Sequence, residues 1–410
     1  MKIGAIIAEY NPFHNGHKYQ IEKFKKESHL DYVIVIMSGN FTQRGEPAWM
    51  PKHSRAKMAL LGGADLILEL PIYYATGSAS RFAEGAIAHL NALGCVNELC
   101  FGCESELDFN ELLKNLEEAS SILINEPDIY KENLNHFLRQ GYSFPSAREK
   151  ALSTLMNHAD ELFMPNNILA LEYMIALKRT KSSILPKPLI RKGPGYHSLD
   201  INEHFASASS IRHQLSENVP HEQLQGLPQE SLDIIKKSLH YNFPVTLNDF
   251  SLIAAYSYMQ NQSRLTDFMD INEDIANRMH KCFDTYSNLD TYLQEMKNKS
   301  ITHTRLSRCM IHLITKQTKD QFYKDTKNSY AYYARILGFK KSSANLLHYI
   351  KETASIPMIT KTAVYKELLT PEGTSLFEAD LYASQLYRMV LQNKYGQHLK
   401  NEFNEQIVII

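Results

Sequence analysis

"IIAEYNPFHNGHKYQIEKFKK", residues 6–26, passes from an apolar run through a turn holding two histidines three positions apart into a lysine-rich amphipathic segment. A short β-branched run followed at once by helical periodicity is the start of a strand–turn–helix unit. The alternation continues downstream. "KIGAIIAE" (2–9), "YVIVIMSG" (32–39), "ADLILELP" (64–71) and "ELCFGCES" (98–105) have the length and composition of buried strands, and 16–28, 52–62 and 78–92 have helical spacing, with Ser78 placed to cap the third. The order βαβαβαβ predicts a Rossmann-like α/β domain: a parallel sheet, right-handed crossovers and a ligand crevice at the C-terminal ends of the strands.

Residues 108–180 read as mainly helical, and "ILPKPLIRKG" (184–193) as a strand that its prolines confine to an edge. "SASSIRHQLS" (207–216) begins a serine-capped helix. Beyond about residue 217 strand signals stop and amphipathic helices follow, which predicts a sheet domain over 1–218 and a mostly α-helical domain over 219–410. The 410-residue chain is 44% hydrophobic and 22% charged, the composition of an ordinary globular protein. No apolar run is long enough to span a membrane, no leader pattern opens the sequence, and five cysteines are an odd number; a cytoplasmic, reduced protein is expected. Cys100 and Cys103 form C-x-x-C without a second pair at zinc spacing, so they read as small structural residues. A net charge of −1 excludes a globally basic nucleic-acid binder and leaves room only for a local basic face. Nothing in the sequence calls for an obligate protein partner.

The turn after the first strand is a natural anion site, because unpaired N–H groups and the helix dipole point at whatever sits there. Gly16 lets the backbone come close, and His14 and His17, one helical turn apart, can reach one phosphate and stabilise charge that grows as its bond to a leaving group breaks. That suits nucleotidyl transfer; the structural alternative is that the histidines merely cap a helix. The tetrad "HNGH" between a strand and a helix resembles the HIGH motif of the nucleotidylyltransferase and class I synthetase superfamily. "EYNPFHNGH" with "MSGNFTQRGEPA", "KHSRAKMAL", "GADLILELP", "FGCESE", "MPNNILALEY", "RKGPGYH" and "SASSIR", and more loosely "THTRLSRCMIHL" and "FEADLYAS", resembles the bacterial tRNA(Met) cytidine acetate ligases over nearly the whole chain.

The resemblance implies an enzyme that uses ATP, accompanied by Mg2+, to activate acetate as acetyl-adenylate with release of pyrophosphate. The acetyl group then passes to the wobble cytidine of elongator tRNA(Met), giving N(4)-acetylcytidine. Carried over by position, it implies an ATP loop made of Ile7, Ala8, Glu9, Tyr10, Asn11, Pro12, Phe13, His14, Asn15, Gly16, His17, Lys18, Tyr19 and Gln20, with His14 and His17 catalytic. Gly102 would leave room for the nucleotide, Asn167 would touch it, and Arg191 with Lys192 would face the triphosphate; Ser209 and Arg212 stand where relatives carry a second phosphate motif. On the residues alone, Gly102 also reads as a turn glycine, Asn167 and Ser209 as helix caps, and Arg191 with Lys192 as a solvated strand end.

For RNA, the stretch from Lys297 to Lys319 has no acidic residue and holds Lys297, Lys299, Arg305, Arg308, Lys316 and Lys319; Arg305, Arg308, His312, Lys316 and Lys319 follow helical steps of three and four. They are expected to form one basic stripe that tracks phosphates, with Lys340 and Lys341 adding to a second acid-free stretch. Two other functions fit parts of this pattern: a small-molecule adenylyltransferase, and an ATP-gated RNA-binding protein without transfer chemistry.

Overall fold

The computed structural model describes residues 1–190, 206–217, 224–239, 241–298 and 301–410. One eight-stranded sheet organises the chain: β1 (Ile3–Ala8), β2 (Tyr32–Ser38), β3 (Leu66–Leu70), β4 (Glu98–Cys103), β5 (Leu185–Ile190), β6 (Ala334–Phe339), β7 (Met358–Ile359) and β8 (Val408–Ile409). The order is β5-β4-β1-β2-β3-β6-β7, with β8 also paired to β6. Strands β1 to β5 are mutually parallel, in the expected βαβ sequence. Pro186 and Pro188 lie in β5, which pairs only with β4 and so forms the sheet edge, where a missing N–H costs least.

The strands read as continuous apolar runs because both faces are covered. Ile34 and Ile36 face one core layer with Ile3, Ala5, Leu66 and Leu68, under helices Ala79–Leu93 and Pro165–Arg179. Val33, Val35 and Met37 face the other with Ile6 and Ile67, under helices Asn15–Glu27 and Lys52–Leu61. This is the period-two alternation of a strand expressed on two buried surfaces. Ser78 caps the third crossover helix through its hydroxyl, which accepts the Arg81 N–H at 3.4 Å, and Gly94 closes it at φ +68°.

From β1 the chain winds one way to β2 and β3, then returns to place β4 on the other side of β1. The switch point therefore lies between β1 and β4, and the crevice at their C-terminal ends is where an open α/β sheet takes its ligand. The turn that follows β1 borders this crevice.

One expectation changes beyond residue 217. That part of the chain is mostly helical, but strand signals do not end there: β6 adds to β3 in antiparallel fashion, and β7 and β8 extend it. Only six residues long, "ARILGF" was hidden because a short apolar run carries no periodicity to tell it from a buried helix turn. Helix Pro371–Tyr395 packs its Leu376, Phe377 and Ala383 into the same core layer as β3. Among the described residues no helix is long and apolar enough to cross a membrane.

Candidate active site

After Ala8 the chain turns through Tyr10, at φ +51°, and a cis Asn11–Pro12 bond to reach His14, the N-cap of helix Asn15–Glu27. The Gly16 N–H donates to His14 Nδ1 at 3.1 Å, and the His14 N–H donates to His17 Nδ1 at 3.2 Å. With both Nδ1 atoms accepting, each neutral ring carries its proton on Nε2. The two rings stack with centroids 3.6 Å apart and planes 26° off parallel. His17 is wedged further by Tyr10 at 4.6 Å and Phe13 at 5.6 Å, both buried. The histidines are thus cap and donor at once: Nδ1 of each fixes the turn, and the turn fixes Nε2–H. The absence of a side chain at Gly16 keeps the His14 ring in place, since a Cβ there would stand 2.9 Å from His14 Cε1.

The turn is held from three sides. Arg55, fully buried, donates to the carbonyls of Glu9 (2.6 Å), Ser38 (3.2 Å), Met50 (3.0 Å) and Gly39, tying the ends of β1 and β2 together. Burial lowers its pKa to about 10. Arg212 donates to the Asn11 carbonyl at 2.8 Å and to Ser209 Oγ at 3.3 Å, and its guanidinium lies 6.0 Å from the Trp49 ring centre. Ser209 and Arg212 are brought to the turn by helix Ala208–Ser216, which Ser207 caps through the Ser210 N–H. Glu9 accepts the Gln43 N–H at 2.6 Å; burial pushes its pKa up, against that hydrogen bond and the charges of Arg44, Arg212 and Arg55.

Ile7 and Ala8 close β1, and Gly102 closes β4 opposite Leu189. Lys18 lies 3.8 Å from Glu230, and Gln20 reaches Cys100 Sγ at 3.7 Å. Asn167 reaches across to the loop after β4. Its side chain is fully buried, accepts the Glu104 N–H at 2.8 Å and donates to the carbonyls of Glu104 (2.5 Å) and Glu161 (2.7 Å). These bonds fix the loop after β4 and leave Oδ1 one further acceptor site; the helix N-cap is Met164. Arg191, Lys192 and Lys299 lie outside the described residues. Cys95, Cys100 and Cys103 are buried, and burial raises the Cys100 thiol to about 12.

Sequence reasoning missed a buried ionic network beside the turn. Lys52 donates to both oxygens of Glu69 at 2.8 Å and to Ser384 Oγ at 3.0 Å, and lies 3.0 Å from Glu402. Arg335 pairs with the same two carboxylates. Cations three apart at a helix start look like a solvated face in sequence; the partners come from β3, β6 and the C-terminal segment, which only the fold assembles.

The basic stripe is corrected. Helix His303–Ile314 ends before Lys316, and His312 is buried, bonded to the Met269 and Thr76 carbonyls at 3.0 and 2.9 Å. Lys319 turns inward to the carbonyls of Thr266 (2.5 Å) and Ile271 (2.7 Å). Arg308 Nε pairs with Asp270 Oδ2 at 2.7 Å, and Arg305 donates to the Asp270 carbonyl at 3.4 Å. A stretch without acids finds its acid 38 residues upstream. Lys297 and Lys316 are exposed, Lys316 over the Tyr382 ring at 4.9 Å. Lys340 and Lys341 follow the end of β6 that pairs with Leu66, the N-terminal end of β3. They stand at the far end of the sheet from the turn, roughly 15 Å away along the strands.

Residues 1–402 match the family model described as HIGH Nucleotidyl Transferase. A tRNA(Met) cytidine acetate ligase of Thermoanaerobacter sp. strain X514 is 40% identical over 402 residues, 96% of each chain, and one of Acetivibrio thermocellus is 35% identical over the full length of both. Among solved structures, apo TmcAL of Thermotoga maritima superposes with a TM-score of 0.93 at 29% identity over the whole of both chains. The form of that protein bound with alpha-thio ATP gives 0.90 at 28% identity, covering 100% of this chain and 99% of that one.

Proposed function

The chain belongs to the HIGH nucleotidyl transferase family and, within it, to the tRNA(Met) cytidine acetate ligases; from that premise we propose how its own residues perform the reaction. ATP binds with its α-phosphate before the stacked His14 and His17, whose Nε2–H groups donate to the oxygens that gather charge as acetate attacks and pyrophosphate leaves. A carboxylate is nucleophilic without a base, so this half-reaction needs positioning and charge stabilisation alone. Gly102 and the loop clamped by Asn167 border the nucleotide, and Arg212, with Ser209, serves the phosphates; Arg191 and Lys192 are assigned to the triphosphate by the family resemblance alone. Magnesium enters as part of the magnesium–ATP substrate, carried mainly by phosphate oxygens and water. Among the described residues no group of three or more His, Cys, Asp or Glu side chains forms a metal site of its own, and no step is routed through one.

In the second half-reaction the exocyclic amine of the wobble cytidine attacks the acetyl carbon, the bond to AMP breaks, and N(4)-acetylcytidine results. Residues 1–218 supply the activating crevice, and residues 219–410, folded against the same sheet, contribute to holding the tRNA. The observation that carries this reading is the His14–His17 pair with both Nδ1 atoms occupied by the turn. The test is incubation with ATP and labelled acetate, with and without tRNA(Met). AMP, pyrophosphate and one acetyl group on the wobble cytidine should form in equal amounts. Acetate-independent turnover, or label on no RNA, would defeat the proposal.

A further inference from the structure

Four segments bring arginines together on the side of the turn away from β4. The loop 42–46 after β2 lies directly on helix His303–Ile314: Gly45, at φ +74°, could bear no side chain, for a Cβ would meet Arg308 N at 2.2 Å. One residue earlier is Arg44. The same loop donates its Gln43 N–H to Glu9 and its Gln43 side-chain amide to the Gly77 carbonyl at 3.3 Å. Gly77 in turn lies against Arg81, since a Cβ on it would stand 2.9 Å from Arg81 Cβ. Arg81 Nη1 is 3.9 Å from Asp270 Oδ1, while Arg308 and Arg305 hold the Oδ2 and carbonyl of that same residue.

Around Asp270, then, Arg81 and Arg308 face the one carboxylate and Arg305 its backbone carbonyl, so that among these four residues positive charge exceeds negative. Arg81 Nη1 has no hydrogen-bond acceptor, its carboxylate neighbour standing 3.9 Å away, while a fifth of the side chain is exposed and its guanidinium is braced 4.8 Å from the Phe322 ring centre. Planar, pre-oriented guanidinium groups in excess over carboxylates match phosphate geometry.

We propose that Arg81, Arg305 and Arg308, oriented by Asp270, form a clamp for a backbone phosphate of the tRNA anticodon loop, one loop away from the ATP turn. The clamp deepens the reading of the chain as a tRNA acetate ligase and rests on it. Position distinguishes the tRNA backbone from the ATP tail as the source of the phosphate. Nucleotide belongs in the crevice between β1 and β4, whereas these arginines stand over the loops that leave β2 and β3, on the other flank of Glu9. A phosphodiester gripped there would hold the neighbouring nucleotide within reach of an acetyl group at the turn.

Filter binding of a tRNA(Met) transcript at several salt concentrations, beside acetate-dependent ATP–pyrophosphate exchange, tests this. Arg81→Ala should weaken binding roughly ten- to hundredfold at low salt and reduce the slope of log affinity against log salt by about 0.7 to 0.9. Arg81→Lys should recover most of the slope and part of the affinity. Arg305→Ala, at a half-exposed position with one backbone contact, should repeat the loss even if Arg81 variants fold poorly. Exchange should stay within about twofold of the parent. Unchanged affinity and slope in both alanine variants would reduce the cluster to a structural tie, and a raised KM for ATP with intact tRNA binding would reassign it to the nucleotide. A parent chain that binds tRNA(Met) but acetylates nothing would sink the activity while leaving the clamp in place.

Discussion

Replacing His14 by Asn separates the two tasks its ring performs. Nδ1 accepts the Gly16 N–H, an N-cap bond worth about 0.5 to 2 kcal/mol, and Nε2–H is the group we propose for the phosphate. Asn is among the best N-cap residues, so its Oδ1 can take over the first task, but its side chain is too short to place a donor where Nε2 stands. Urea unfolding of His14→Asn should therefore match the parent to within about 0.5 kcal/mol, while acetate-dependent exchange falls roughly a hundred- to a thousandfold, the loss for one donor aimed at developing charge. His14→Ala should lose the same rate and the cap energy besides. The stacking on His17 adds a check: removing the His14 ring uncovers a face of His17 but leaves its Tyr10 and Phe13 contacts, so the two single losses should fall short of additive in the double variant. Exchange near the parental rate in a folded His14→Asn protein would refute the phosphate role and leave the histidine as a cap.

Gly16→Ala should force the His14 ring to move, since the new methyl would stand 2.9 Å from Cε1; exchange should drop at least tenfold with a smaller proportional change in unfolding free energy. Lys52→Met removes the cation shared by Glu69 and Glu402 in a buried network, and urea denaturation should show a loss of about 3 to 5 kcal/mol; a loss under about 1 kcal/mol would mean that Arg335 alone suffices. Asp270 is held at about 2: burial opposes ionisation, but His312, Arg308 and Arg81 outweigh it. A depressed carboxyl stabilises the fold above its unfolded value of about 4, and that contribution of about 2 kcal/mol disappears as pH falls towards 2. The urea midpoint of Asp270→Asn should accordingly change less between pH 5 and pH 3 than the parent's, and equal changes would contradict the assignment.

The first five strands and their crossovers were legible because each sits inside a βαβ unit whose signals are local: an apolar run, a cap, a period of 3.6. The His14–His17 pair was legible for the same reason, its two Nδ1 hydrogen bonds closing within three residues. What escaped is non-local. Strand β6 acquires its meaning only beside β3, and the charge of Arg308 is answered by Asp270, far outside any helical window. Asn167 could be read as a polar residue near a nucleotide, yet its three hydrogen bonds go to the backbone of Glu104 and Glu161, contacts that no spacing rule reveals.

The antiparallel pairing of β6 with β3 also sets a schedule for biosynthesis. When β3 leaves the ribosome one of its sides is paired with β2, but the partner for the other lies more than 260 residues downstream. At typical elongation rates that interval is on the order of tens of seconds. Throughout it "LILEL" is an open, apolar strand edge, the kind of surface that recruits other nascent chains. Glu69 is the one charged residue in that strand; Lys52, made before it, already pairs with it, and Arg335 joins them only when β6 arrives. Translation truncated before residue 334 would thus yield a chain that carries the whole ATP turn yet remains prone to self-association, and a chaperone able to shield one strand would favour its yield more than added ATP.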